Sequence, residues 1–565
     1  MLASPALAGC GLAKIAELPV TMQGLTPTVS VKIDGGEAKM IADSGAFFSS
    51  ITPQAARRLG LKIAARSGAT LEGAGGEADA GLAQAKTFEV LGFTLHNADF
   101  LMTAPQLPAD GLLGENMLGL ADTEFDLADG VIRLMKPTGC EKTALAYWAT
   151  DRPYSAIDIY TISRQSDSIR GTVKVNGVSI RAQFDTGAPR TIVSLKAAKA
   201  AGVNLADPRV KPGGVSGGIG LGEYETWIAP VTSFEIGGEA IKNTSLRIGD
   251  IRLDGADMLV GADFFLSHRV FVSKSQARLY FTYNGGPVFD LGDANRPAAT
   301  AVTTAAAAGA EKPSDAAGFS RRAAAFAARA DYDSAISDYA SAIALAPGDP
   351  QPLVERGRLY WRQGQPMMAA ADFEAALKLK PDDVTALLAR GELRLARRDT
   401  AGAAADFDAA IKADPSQALP VAQRYVSFDR FADAVARYDA WIATHPKDAE
   451  MASVLNNRCW VRALWGQELD KAEADCDAAL RLAPGAASIL DSRGLVHLRR
   501  GEADKAIADY NGALEQTRHD PWSLYGRGLA QLKKGRKAQG DADIAAAAAI
   551  EPGLPDRFKQ LGIAP

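Results

Sequence analysis

No apolar run in this 565-residue chain approaches the ~18 residues that a membrane-spanning helix needs. Clustered positive charge is missing too. The formal net charge of −5 is spread along the chain without a stripe of Lys and Arg, which excludes nucleic acid as a main partner, since phosphate binding needs grouped cations. The five histidines, His96, His268, His445, His497 and His519, are scattered and stand near no Ser or Cys motif, so no nucleophilic triad is expected. Cysteine is scarce. Cys10, Cys140, Cys459 and Cys476 form no Cys-x-x-Cys pair and no Cys/His cluster at zinc spacing, so no metal site is expected. The Gly-rich run 213–218 opens no amphipathic helix and is not a dinucleotide-binding loop. No cofactor is implied.

The cysteines that are present fall in suggestive places. Cys10 and Cys140 stand just outside the two ends of a β-rich unit, and Cys459 and Cys476 fall on successive helices of one repeat. Two such pairs favour an oxidising compartment such as a bacterial periplasm; the alternative is four inert buried thiols. Ala6-Leu7-Ala8 fits a small-x-small export cleavage pattern, although the charged and most of the apolar parts of a signal are missing from residues 1–18. Leu7-Ala8-Gly9-Cys10 also resembles the bacterial lipoprotein box. Lipidation of Cys10 would compete with a Cys10–Cys140 disulfide, and the disulfide is the preferred expectation.

A chain of this length exceeds one core, and its texture changes twice. Residues up to 284 are Gly-rich with short alternating apolar runs, closed by the hairpin signals Asp34-Gly35 and Asn176-Gly177. Residues 285–315 are Ala/Thr-rich and read as a linker, and from 316 to 565 the chain is Ala-rich and helical. The β half is duplicated. An apolar strand runs into Asp43-Ser44-Gly45-Ala46, followed by a helix-like 53–61 and later by Leu112-Leu113-Gly114; the same order returns as Asp185-Thr186-Gly187-Ala188, 194–203 and Leu259-Val260-Gly261. The expected domains are 19–139 and 166–284, joined by a connector 140–165.

In the helical half Ala335, Ala369 and Ala403 are 34 residues apart, as are Pro347, Pro381 and Pro415, and the series continues through Ala434, Ala472, Ala506 and Gly540. Four residues after each comes Tyr339, Phe373, Phe407, Tyr438, Cys476, Tyr510 or Ile544, while Gly357, Gly391, Gly494 and Gly528 hold a small site on the preceding helix. This pattern resembles the tetratricopeptide repeat, in seven units with a degenerate one at 416–446 and a capping helix at 556–562. Small sites would let paired helices approach, with the aromatic filling the gap against the next unit.

Asp-Ser/Thr-Gly-Ala after an apolar strand, with a later apolar-apolar-Gly, resembles the pepsin-like and retropepsin-like aspartic proteases, and the full set occurs twice in one order. The resemblance implies an all-β bilobal fold whose lobes form a pseudo-dimer within one chain, followed by an all-α repeat solenoid. It implies that Asp43 and Asp185 share a proton and activate water. Gly45, Ala46, Gly187 and Ala188 would support the carboxylates, Ser44 and Thr186 would tie the loops together, and Leu113-Gly114 and Val260-Gly261 would back them. Candidate flaps are 72–76 and 213–218. Tyr224 and Trp227 are candidates for either substrate contact or packing, and Phe47-Phe48 would narrow the cleft. The expected function is an exported, monomeric aspartic endopeptidase acting on a protein or peptide, its repeat groove binding a protein partner. The alternative is an inactive or regulatory scaffold whose repeats carry the function.

Overall fold

The computed structural model describes residues 10–563 apart from 65–69, 74–75, 80, 103–106, 150–152, 161–167, 218–222, 252, 254, 290–312, 447 and 449. The export-signal pattern and most of the expected linker thus lie outside the described residues. The chain forms two compact units, Met1–Pro347 and Gly348–Pro565.

Alternation builds the first lobe. Along Thr26–Ile33 the side chains of Val29, Val31 and Ile33 are buried while Ser30 and Lys32 face solvent. Asp34 and Gly35 then adopt φ of 49° and 79°, the left-handed pair a two-residue hairpin requires, and return the chain antiparallel into Gly36–Ala42. Asn176-Gly177 repeats the device at 50° and 78° between Ile169–Val175 and Val178–Phe184. Each lobe closes a ring of six strands in the same order. In the first the ring runs Thr26–Ile33, Gly36–Ala42, Gly111–Leu113, Ser50–Ile51, Phe93–Met102, Gly81–Val90 and back. In the second it runs Ile169–Val175, Val178–Phe184, Met258–Val260, Ile192–Ser194, Glu239–Gly249, Glu223–Ile236 and back.

The lobes share a sheet. Asp122–Asp126 pairs antiparallel with His268–Ser273 in the register Thr123↔Val272 and Phe125↔Val270, and Phe125 meets Phe265 with ring centroids 5.3 Å apart. Strand Gly11–Pro19 lies on the outer side of Val131–Thr138 in this sheet, with Gly11 opposite Thr138. That register brings the sulfurs of Cys10 and Cys140 to 2.10 Å.

The first helix pair, Ala316–Ala328 and Tyr332–Leu345, belongs to this unit rather than to the other. Its Ala324 and Ala325 enter the same core as Val288 and Phe289, and Phe289 packs edge-on against Phe234 at 5.0 Å. The described start of the stretch read as a linker, residues 285–289, therefore packs into the core through Val288 and Phe289.

The second unit holds six helix pairs, from Gln351–Arg362 with Pro366–Leu379 to Pro521–Lys533 with Lys537–Ile550, and then Leu554–Gln560. A Cβ on Gly357 would stand 2.6 Å from the Phe373 ring, and one on Gly391 2.5 Å from Phe407. The aromatic thus fills its own unit first. It reaches the next unit as well, Phe407 meeting Tyr425 edge-on at 5.2 Å, so the expectation of an inter-unit filler covers half of its role. Between the helices of each pair the chain takes positive φ, at Gly364, Arg398, Asp429, Gly466 with Glu468, Gly501 and Gly535. Arg398 is exposed and sits at φ 64°, a conformation that costs a side chain about 1 kcal/mol and glycine little. Arg398→Gly is expected to stabilise the helical unit by about 0.5–1 kcal/mol, read from the midpoint of its denaturant transition by circular dichroism.

Candidate active site

Each Asp-Ser/Thr-Gly-Ala loop is held from behind by its own lobe. Strand Gly111–Leu113 lies parallel to the end of Gly36–Ala42, and the Asp43 N–H donates to Leu113 O at 3.0 Å. In the second lobe Met258–Val260 takes the same place, and Asp185 N–H donates to Val260 O at 2.9 Å. Gly114 and Gly261 then pass directly under the loops: a Cβ would stand 2.8 Å from Ala46 O in one lobe and 2.7 Å from Ala188 O in the other. No side chain fits at either position.

Two further pairs, not singled out from the sequence, complete this backing. Gly114 N–H donates to Ser49 Oγ (3.1 Å), which donates to Asn116 Oδ1 (2.8 Å). Gly261 N–H donates to Thr191 Oγ1 (3.0 Å), which donates to Asp263 Oδ1 (2.7 Å). The signal was available: Ser49 and Thr191 stand 142 residues apart, as do Asp43 and Asp185, and Asn116 and Asp263 share the 147-residue offset of Gly114 and Gly261.

Ser44 and Thr186 cross between the lobes, both fully buried. Ser44 N–H donates to Thr186 Oγ1 and Thr186 N–H to Ser44 Oγ, each at 3.0 Å. The hydroxyls then donate onward, Thr186 to Ala42 O at 2.7 Å and Ser44 to Phe184 O at 3.1 Å. Both N–H groups and both hydroxyls of this crossing are used, so the two loops hold one spacing.

That spacing sets the carboxyls face to face. Asp43 Oδ1 accepts the N–H groups of Gly45 and Ala46, both at 2.8 Å, and Asp185 Oδ1 accepts those of Gly187 (2.9 Å) and Ala188 (3.1 Å). A Cβ on Gly45 would stand 2.5 Å from Asp185 Oδ1, and one on Gly187 2.5 Å from Asp43 Oδ1. Burial, and then the Asp185 charge, push the Asp43 carboxyl well above the usual carboxylate range. Burial raises Asp185 as well, against the amides of Ala188 and Gly187 and a hydrogen bond from Asp43. Two like charges this close cannot both form easily, so titration here belongs to the pair rather than to either acid.

Around the pair, Tyr224 packs with Ala188, Ile192, Ile251 and Leu259, while Phe48 is 53% exposed and meets Phe47 edge-on at 4.4 Å. The candidate flaps are hairpins, Thr70–Gly73 with Gly76–Asp79 and Lys211–Gly217 with Glu223–Ile236, their tips 74–75 and 218–222 lying outside the described residues. The Cys459 and Cys476 sulfurs lie 2.04 Å apart across the fifth helix pair. Among the described residues Glu473, His497 and Glu502 could together ligate an ion, but the Arg500 guanidinium already binds Glu473 at 2.5 Å and Glu502 at 3.1 Å.

Residues 29–117 and again 171–264 match the aspartyl protease family, and residues 354–418 and 461–521 match the tetratricopeptide repeat. The N-terminal region carries the aspartyl-protease unit twice. Both family matches take in the Asp loop and its backing glycine, and the tetratricopeptide matches cover parts of the helical unit. No curated protein matches the chain. Similar solved structures include a tetratricopeptide repeat protein from Parabacteroides merdae, 17% identical over 43% of this chain and 96% of that one, with a TM-score of 0.34. A second, from Cytophaga hutchinsonii, is 16% identical over 43% and 98%, with a TM-score of 0.32.

The tetratricopeptide units contain an ion-pair series that the sequence pattern did not reveal. Arg356–Asp372, Arg390–Asp406, Arg493–Asp509 and Arg527–Asp543 each join the two helices of a unit across 16 residues, and Arg458–Asp475 does so across 17. In the degenerate unit Ala440 stands where the acid belongs, and Arg424 turns to Glu392 instead, at 2.5 Å.

Proposed function

We propose that this chain is an aspartic endopeptidase in which Asp43 and Asp185 activate one water against a peptide bond, with the repeats recruiting a protein partner or substrate. One observation carries the reading. Two carboxyls from equivalent loops of a duplicated lobe, Asp43 buried and Asp185 half-buried, each lie against the glycine of the opposite loop while each keeps two amide donors.

The chemistry follows from one proton on two acids. The ionised carboxylate takes a proton from water as its oxygen attacks the peptide carbon, while the protonated one donates to the carbonyl oxygen. The tetrahedral diol then collapses as the amide nitrogen receives a proton and the C–N bond breaks. The Gly and Ala amides steady the ionised form throughout, and neither a metal nor a cofactor is required. The Phe47–Phe48 pair beside Asp43 favours substrates that extend past it without bulk. Two bonded cysteine pairs support export to an oxidising compartment such as a periplasm, and the shared interlobe sheet supports action as a monomer.

The pH profile tests this. With both carboxyls raised, cleavage of an internally quenched peptide is expected to be bell-shaped, with its alkaline limb at loss of the shared proton, and to be blocked by a pepstatin-like inhibitor. Absence of cleavage from mildly acid to neutral pH, with indifference to the inhibitor, would favour the scaffold.

A further inference from the structure

The end of the chain does more than cover the last repeat. Helix Leu554–Gln560 packs on the seventh pair and reaches back to the C-terminal ends of the first helices of two earlier units. Phe558 is 1% exposed and sits against Trp522 (4.9 Å between centroids) and Tyr525 (4.5 Å), with Trp460 of the fifth pair closing on Trp522 at 5.0 Å. Arg557 forms a two-pronged pair with Asp429, 128 residues away at the end of Ala418–Ser427, its nitrogens 2.5 and 3.1 Å from the carboxylate oxygens. Arg499, on the first helix of the sixth pair, donates to Leu561 O at 2.8 Å. The helix and the residue after it therefore touch three units, the fourth, sixth and seventh, through a basic residue, a main-chain contact and an aromatic anchor.

We propose that this face is a binding groove for a peptide segment that carries a basic residue followed by an aromatic one, and that Leu554–Gln560 occupies it in cis until such a segment displaces it. The inference rests on the reading that the repeats recruit a protein partner, and it names that partner's chemistry and the device that restrains its binding. Three features separate an occupant of a groove from a plain cap. A cap needs to cover only the last pair, whereas Arg557 reaches the fourth. The Arg557–Asp429 pair is partly exposed, with 30% and 54% of the side chains accessible, so it is weak and exchangeable. The Phe558 pocket has two aromatic walls, Trp522 and Tyr525, with Trp460 of another unit backing Trp522, which is the composition of a hot spot. A peptide in trans must compete with a tethered copy at high effective concentration, so the groove stays closed to weak ligands.

The test uses the full chain and a labelled peptide with the sequence of residues 551–563. Phe558→Ala should bind the peptide at least ten-fold more tightly than the unaltered chain, and Arg557→Ala a few-fold more tightly. Adding Asp429→Arg to Phe558→Ala should weaken binding at least five-fold, and a peptide with Arg557→Asp should recover it. Equal binding by the unaltered and Phe558→Ala chains, with helicity unchanged by circular dichroism, overturns the proposal; if Phe558→Ala loses helicity, Arg557→Ala decides alone. Proteins trapped by an Asp185→Asn chain test recruitment separately. Trapping without any gain in peptide binding leaves recruitment standing and removes the cis occupant, whereas loss of both removes the two readings together.

Discussion

Asp185→Asn is expected to lower peptide hydrolysis by about 10³-fold or more, the scale of a lost general acid or base, while making the protease unit more stable at pH 7. The two effects share one cause. Asn keeps an oxygen for the Gly187 and Ala188 amides and offers an N–H to Asp43, so the loop geometry survives. What disappears is the second ionisable acid of the pair. The native dyad binds a proton more tightly than the unfolded chain does, since both carboxyls lie above the ordinary value of 3.8. Its contribution to stability is thus full below that value and falls as pH rises through the elevated folded range. The variant keeps the share of this fall that burial of Asp43 causes and loses the share due to the Asp185 carboxyl, so its advantage should grow from about pH 4 upward and reach on the order of 1 kcal/mol, as when a strained functional site is relieved. Unfolding monitored at pH 4 and pH 7 measures the difference. A variant that loses activity and stability alike would mean that Asp185 is chiefly structural.

Thr186→Val should have the largest effect on folding among changes at the site. Its hydroxyl accepts from Ser44 N–H and donates to Ala42 O, and all three residues are fully buried. Valine has nearly the same shape but leaves one donor and one acceptor without partners, each costing about 1–3 kcal/mol. The expected loss is about 2–4 kcal/mol, and since the crossing sets the carboxyl spacing, activity should fall about 10²-fold as the dyad loosens. Thr186→Ser keeps the hydroxyl and should stay within about 1 kcal/mol of the parent, the value of one methyl group. Denaturant titration and kcat/KM on both variants separate the hydroxyl from the methyl.

Much of the bilobal fold was legible because duplication repeats its own evidence. Asp34-Gly35 and Asn176-Gly177 mark the same hairpin in two lobes, and Asp43 and Asp185 carry the same four-residue loop. What stayed hidden involves partners that change type between the copies. Ser49 with Asn116 and Thr191 with Asp263 make the same contact from different residues, so the repetition is visible only as an offset. The Arg–Asp series is hidden for the opposite reason: charged residues on an Ala-rich helix read as a solvated face until the second helix folds onto the first. Composition misled at Val288 and Phe289, two apolar residues inside a polar stretch that the core nevertheless takes up. The return of Leu554–Gln560 to Asp429 crosses 128 residues and has no local signal at all.

The central claim is that one molecule holds one complete site. Asp43→Asn and Asp185→Asn chains, assayed separately and then mixed in equal amounts across a wide range of concentration, test it most directly. The account predicts that all three preparations stay about 10³-fold or more below the parent, which cleaves in proportion to its own concentration. Near-parental hydrolysis by either variant alone, or activity that rises with concentration in the mixture, would show that lobes of different molecules pair and would contradict it.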